Sequence, residues 1–397
     1  METEDSKQHY FRWRDREMQV RLVYTWIILD LELSLFHDVK TVLSLTDFKL
    51  PVPISEELFL SKELAVGEFS LEQPPDIDIA NDANRPSLQT MLQWLFKQGF
   101  DSTRRKHLNP TTLHVLLHAI LSMIRNYRQL FGYMGQDARI RLSVFSPFSK
   151  ASTKTRMDEM RGLLQYWLGL FNALWPSSTR LGDGDPCLPS PQLYGVLITY
   201  HFICLETVID MPAIENLARQ RRPDSTIAQM DTALKDQYIQ DLVPVLFHSG
   251  QILYLLRVLE QTSLPPWWPA AIYRVTMVLW ATSVLFGSAW KQPSGVELLS
   301  PIIIDASLHD DDSNLSPLWQ ENSESYSVGG EGAGLNMPQS HTPALSVRGD
   351  LSNATLLSDP QRVLETCLLA FEKGRSIRFA DGIYRKLKQF MASRTTE

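Results

Sequence analysis

Two carboxylates, Asp30 and Glu32, stand inside an otherwise apolar run, "VRLVYTWIILDLELSLFHDV". Paired carboxylates do general acid–base chemistry when both reach one substrate. A helical residue turns by about 100°, so these two side chains diverge by about 200° and cannot cooperate from one helix. Arg21, Thr25 and Glu32 fall on one thin polar stripe, and Asp30, Ser34 and His37 on another. Burying an unpaired carboxylate is costly, so each acid needs a partner. Ser34, one turn from Asp30, can donate to it, and so can backbone N–H groups of the hook that follows, "VLSLTDFKLP". Both acids are read as structural groups.

Other chemistry is sparse. His114 and His118 lie four apart in "LHVLLHAIL", a spacing that can put two imidazoles on one metal. No HExxH glutamate and no third ligand accompany them, so they read as core or half-buried histidines. His37, His201 and His248 each stand alone in sequence. "VGGEGAG" at 328–334 has neither a strand before it nor a helix after it and makes no phosphate loop. The aspartate run Asp310-Asp311-Asp312, which an α-helical prenyl-processing enzyme would need on a helix, lies in a polar tract. The chain is therefore read as a non-enzyme, without catalytic, cofactor-binding or metal-ligating residues. The basic clusters at Arg104-Arg105-Lys106 and at Arg219, Arg221 and Arg222 follow helical segments and read as solvated helix ends.

The elements that carry these residues are helical. Apolar residues recur at three and four spacing, and strict alternation is scarce. Asn109-Pro110, Ser190-Pro191 and Asp359-Pro360 each set a capping side chain before a proline at the first helical position. Helices are predicted near 14–37, 55–66, 87–98, 110–133, 155–175, 190–209, 212–221, 226–247, 249–261 and 268–289. The uncharged run "VTMVLWATSVLFGSAW" is shorter than the roughly 20 residues a bilayer needs and reads as a buried core helix. Trp267 and Trp268, after a Pro-Pro corner, are expected to pin its start.

Hydrophobic residues make up 44% of the 397, so the chain can bury a sizeable core. Its net charge of −7 argues against a surface that coats nucleic acid. Three scattered cysteines, Cys187, Cys204 and Cys367, point to a reducing compartment rather than a disulfide framework. The first ten residues are polar and make no signal peptide.

Composition divides the chain into 1–290, an all-helical domain; 291–358, polar and acidic; and 359–397, a helical pair broken at Gly374. The expected fold class is all-α. From Asp305 to Asp350 there are eight acids and one base, Arg348, which predicts disorder. Within that tract Leu315, Leu318, Trp319 and Tyr326 are interleaved with acids, the pattern of activation segments whose apolar anchors a coactivator groove buries. A plain linker is the simpler reading. The last helix places Ile383, Leu387, Phe390 and Met391 on one side.

"WRDREMQVRLVYTWIILDLELSLFHDVKTVLSLTDFKLPVP" resembles the signature of the fungal-specific transcription factor regulatory domain, or middle homology region. The matching positions are Trp13, Glu17, Arg21, Asp30, Ser34, Leu43, Asp47, Leu50, Pro51 and Pro53, within 13–53. The sequence departs at Val20-Arg21, where that family often has two arginines. The tail "DPQRVLETCLLAFEKGRSIRFADGIYRKLKQF" is similar to the C-terminal part of fungal zinc-finger regulators of this type. The resemblance implies a large helical regulatory domain in a nuclear regulator of RNA polymerase II genes, partnered by transcription machinery, coregulators or a homo- or heterodimer mate. It also implies a separate zinc domain for DNA binding. The scattered cysteines build no such zinc site, so zinc and DNA contact are expected outside this chain: a truncated member, an incomplete gene model, or a finger-less scaffold or dominant-negative partner. A helix apolar on two flanks then presents one of them to association.

Overall fold

The computed structural model describes residues 2–37, 39, 41–43, 49–56, 59–60, 85–141, 146–175, 191–220, 235, 238–290, 301–307, 342–374 and 377–395. The fold is mostly α-helical, as expected, with one small sheet. The chain forms two compact units, Met1–Arg125 and Asn126–Glu397.

In the first unit, α1 (Glu2–His37) starts earlier than its apolar periodicity indicated. It packs Trp13, Val20, Tyr24, Ile27, Leu31 and Leu35 inward. Helix α2 (Leu88–Phe96) begins where Ser87 accepts from the Thr90 N–H. Helix α3 (Pro110–Arg141) begins at a reciprocal cap: Asn109 accepts from the Thr112 N–H, and Thr112 accepts from the Asn109 N–H. Both caps satisfy backbone donors that a helix start leaves without intrahelical partners. Of the helix predicted at 55–66, Ser55, Glu56, Phe59 and Leu60 are described, and all but Ser55 are helical.

In the second unit, α4 (Ser146–Leu174), α5 (Pro191–Val208), α6 (Met211–Arg219), α7 (Leu242–Val258) and α8 (Trp268–Phe286) surround one core. Helices α5 and α7 pack face to face, and α8 touches α6, α7 and both helices of the tail. Helices α5, α7 and α8 are buried on nearly every side, as continuous apolar sequence demands. Helix α8 and the short 3₁₀ turn after it are apolar and long enough to cross a membrane, yet 89% of their most apolar 18-residue window is buried within the fold. Trp268 does open α8, its ring tilted against Phe371 at 5.6 Å.

Two expectations are corrected here. The helices predicted at 226–247 and 249–261 are not two: α7 runs through His248-Ser249-Gly250 unbroken, and Tyr238–Asp241 before it is not helical. Gly250 tolerates the helix because it packs against backbone. A Cβ there would lie 2.0 Å from the Ile304 carbonyl oxygen. Gly250→Ala is therefore expected to lower stability by about 2–3 kcal/mol, read as a lower urea midpoint. A midpoint shift worth under about 0.5 kcal/mol contradicts the close approach.

The ends of the tract predicted to be disordered are also ordered. Strand β1 (Ile302–Ile303) pairs parallel with β2 (Pro343–Val347), which pairs antiparallel with β3 (Asp350–Leu356). Arg348 and Gly349 make the β2–β3 turn, both with positive φ, 57° and 86°, as a two-residue turn matched to strand twist requires. Asp305 and Asp350 thus belong to folded structure, while Leu315, Leu318, Trp319 and Tyr326 lie outside the described residues. Helices α9 (Pro360–Leu369, capped by Asp359) and α10 (Arg378–Thr395) pack against each other and against α8. Phe390 meets Trp280 at 5.0 Å, and Leu387 is fully buried.

Candidate functional site

Among the residues singled out in the first 53 positions, Trp13, Arg21 and the segment carrying Pro51 and Pro53 lie around a buried carboxylate, Glu17. Glu17 is fully buried. It receives Arg85 at 2.7 Å, Arg21 at 3.2 Å and the Ile54 N–H at 3.0 Å. Arg85 also donates to the Val52 carbonyl, and Arg21 to the Ile54 carbonyl, so both cations tie α1 to the extended segment after the hook. Arg21 lies over the Phe59 ring at 4.3 Å, and Trp13 packs against Phe59 and Ile54. Pro51 bridges to Ser87, and the Pro53 carbonyl accepts from Asn109. Asp47 lies outside the described residues.

Asp30 accepts from the Val42 and Leu43 N–H groups, closing the start of the hook onto α1. Ser34 does not serve Asp30: its hydroxyl and carbonyl take Arg125 from α3. Glu32 stands 3.8 Å from His114. His114 and His118 pack with ring centroids 4.9 Å apart and are both buried, which pushes His114 down to about 4 and His118 lower than an ordinary imidazole. Among the described residues no three His, Cys, Asp or Glu side chains cluster as a metal site. Among the described residues, Cys204 in α5 and Cys367 in α9 are separately buried, their thiols pushed up to about 12, and these two do not fit one zinc site; Cys187 lies outside the described residues.

The basic cluster after α2 is tied down rather than free. Arg104 donates to the Gly99 carbonyl at 2.6 Å and covers Trp94, and Arg105 donates to the Phe100 carbonyl. Arg219 pairs with Glu215 on α6, while Arg221 and Arg222 lie outside the described residues.

The opposite flank of α1 faces outward. Phe11, Met18, Leu22, Trp26, Leu29 and Leu33 are all exposed, Leu22 and Trp26 by 59%. At 100° per residue these six fall within about 80° of arc and run for about 33 Å. Every charged group on the inner and lateral faces that was singled out has a partner, so the unspent feature of α1 is this apolar stripe. The stripe is unbroken by charge from Met18 to Leu33, the exposed Asp15 separating it from Phe11, and an exposed apolar stripe of this kind marks an interaction surface rather than a reaction centre.

Sequence reading missed three long-range polar joints in the second unit. Asp305 meets Arg257 at 2.6 Å and accepts from the Ser346 N–H and hydroxyl. Glu206 sits between Arg274 at 3.2 Å and Arg128 at 3.6 Å. His201 and His248, read as solitary, meet Nδ1 to Nδ1 at 2.8 Å. The apolar run "PIIID" before Ser307 was the one signal that Asp305 belonged to a strand rather than to the polar tract.

With this geometry in hand, the chain is similar to fungal proteins named as transcription factors. It is 30% identical over 386 residues to Transcription factor 1 of Elsinoe fawcettii, covering 96% of this chain and 36% of that protein. It is 29% identical over 388 residues to Transcription factor PfmaH of Pestalotiopsis fici, again 96% of this chain and 36% of the other. A transcription factor of Zymoseptoria tritici is 30% identical over 307 residues, 72% of this chain and 30% of its own. The chain spans about a third of the length of the curated relatives it matches. No family model and no solved structure matches it. These likenesses support a relationship to fungal proteins named as transcription factors.

Proposed function

We propose that this chain is the regulatory and interaction domain of a fungal nuclear transcription factor acting on RNA polymerase II genes. The signature resemblance and the similarity to proteins named as transcription factors support the class. The observation that carries the interaction role is the exposed apolar stripe on α1, whose inner face is meanwhile fastened by satisfied charges. Its partner is a coregulator or machinery protein that lays an apolar helix along α1, in the manner of helix-to-helix recognition. Contact with DNA, and any zinc it needs, lies on residues outside these 397 or on a partner.

Tethering the chain to a heterologous DNA-binding domain at a fungal reporter gene tests this. The tethered chain should change reporter output, and Leu22→Ser/Trp26→Ser/Leu29→Ser should return output to background with an unchanged melting temperature. A tethered chain with no effect, or a triple variant indistinguishable from the parent, sinks the proposal. Loss of concentration-dependent self-association in the same variant would assign the stripe to a second copy instead.

A further inference from the structure

A pocket of about 220 Å³ opens in the second unit between α7, α8, the sheet and α9. Its walls include Leu253, Leu256, Leu264, Trp268, Ile272 and Leu345. Apolar cavities of about 150 Å³ take up benzene, so this space matches a molecule of one or two rings. We propose that it binds a neutral, mainly hydrocarbon, one- or two-ring small molecule, seated against the Trp268 ring. This goes beyond the interaction role, because binding is read on the chain alone.

The polar groups in the pocket set the ligand's charge. Arg257 and Asp305 reach its floor, but they pair with each other at 2.6 Å, and the Ser346 hydroxyl accepts from Arg257 at 2.8 Å and donates to Asp305 at 2.7 Å. Thr366 is joined to Thr355 at 2.8 Å. The Cys367 thiol is buried and held neutral. At the mouth, Arg348 and Glu372 form an exposed pair, both oxygens of Glu372 taking the same guanidinium nitrogen at 3.0 Å. A carboxylate ligand would have to displace Asp305 from Arg257, leaving a buried charge stranded, whereas a neutral ring displaces nothing. Gly349 is held against the Arg257 side chain, with a positive φ that fixes the turn, so the floor is rigid rather than adaptable. A preformed apolar site with few, already committed polar groups is the usual form of a small-molecule pocket.

The test uses the full chain with benzene, naphthalene, 2-naphthol and coumarin as probes, and 2-naphthoate as the charged comparison. Calorimetric titration and thermal shift should show saturable binding of at least one neutral probe, with at least tenfold weaker binding of 2-naphthoate. Ala370→Trp, at the exposed mouth, and Leu264→Trp, on the wall, should each weaken that binding at least tenfold. The first carries little folding risk, so a misfolded Leu264→Trp leaves the test intact. Absence of binding by all four neutral probes at their solubility limits overturns the proposal. So does equal binding of the carboxylate, or affinity unchanged in a folded Ala370→Trp chain.

Discussion

Glu17→Ala is expected to destabilise the protein by about 3–5 kcal/mol, the cost of removing one partner from a buried ion pair. Two effects add. The Arg85 side chain is only 8% exposed, and losing Glu17 strands its charge in a site too dry to hydrate it. The Ile54 N–H also loses its acceptor, so the segment carrying Pro51 and Pro53 loosens from α1. Urea unfolding measures the first effect, and amide exchange at Val52 and Ile54 the second. Glu17→Gln should fall between, since it keeps one acceptor oxygen for Ile54 but no charge for Arg85. Trp26→Ala, 59% exposed on the outer stripe, should change stability by less than about 0.5 kcal/mol. A loss under about 1 kcal/mol for Glu17→Ala would mean the charges find water or other partners, and the account of this joint would fail.

Acid should unfold the protein well before its carboxylates are protonated. His201 and His248 share one Nδ1···Nδ1 hydrogen bond at the α5–α7 interface, ringed by Tyr200 and Phe247. That bond requires one Nδ1 to carry a proton and the other to accept, so a second protonation destroys it. Burial pushes His201 down to about 3 and His248 well below the usual imidazole value. Above pH 6.5 both are neutral, folded or unfolded, and stability does not depend on them. Below that value the unfolded chain binds protons that the folded chain refuses. Stability therefore falls as pH falls, until His201 titrates in the folded state near pH 3. His201 contributes up to about 1.4 kcal/mol per pH unit, or about 2 kcal/mol by pH 5, and His248 acts in the same direction. His114, pushed down to about 4, and His118 act in the same direction. Urea midpoints from pH 7 to 5 should drop steeply, and His248→Gln should flatten the slope. A flat profile over that range would show that these imidazoles are hydrated in the fold.

How much of this was legible in the sequence depends on the range of the physics involved. The caps at Asn109 and Asp359, the Trp268 helix start and the burial of α8 rest on neighbours a few residues apart. Helical period likewise separated Asp30 from Glu32 before any fold was known. Asp30 found amides at Val42 and Leu43, within reach of its own loop. The run through His248-Ser249-Gly250 stays helical because burial on nearly every side holds α7 together, and Gly250 serves there to admit the Ile304 backbone rather than to break the helix. The short strands around Asp305 and Arg348 were submerged in an acidic tract whose average composition spoke for disorder.

The sequence by itself determined the helical class, the apolar character of α1 on two flanks and the similarity to fungal transcription factors. Each follows from local period, local capping or residue identity. Only the tertiary structure decided that Glu17 answers Arg85 across 68 residues, that Ser34 answers Arg125 across 91, and that Arg257 answers Asp305 across 48. It also decided which flank of α1 is covered and which carries Leu22 and Trp26 into solvent. The reason is the same in each case. A buried charge and an apolar face demand partners but do not name them, and which partner arrives is set by the packing of distant helices.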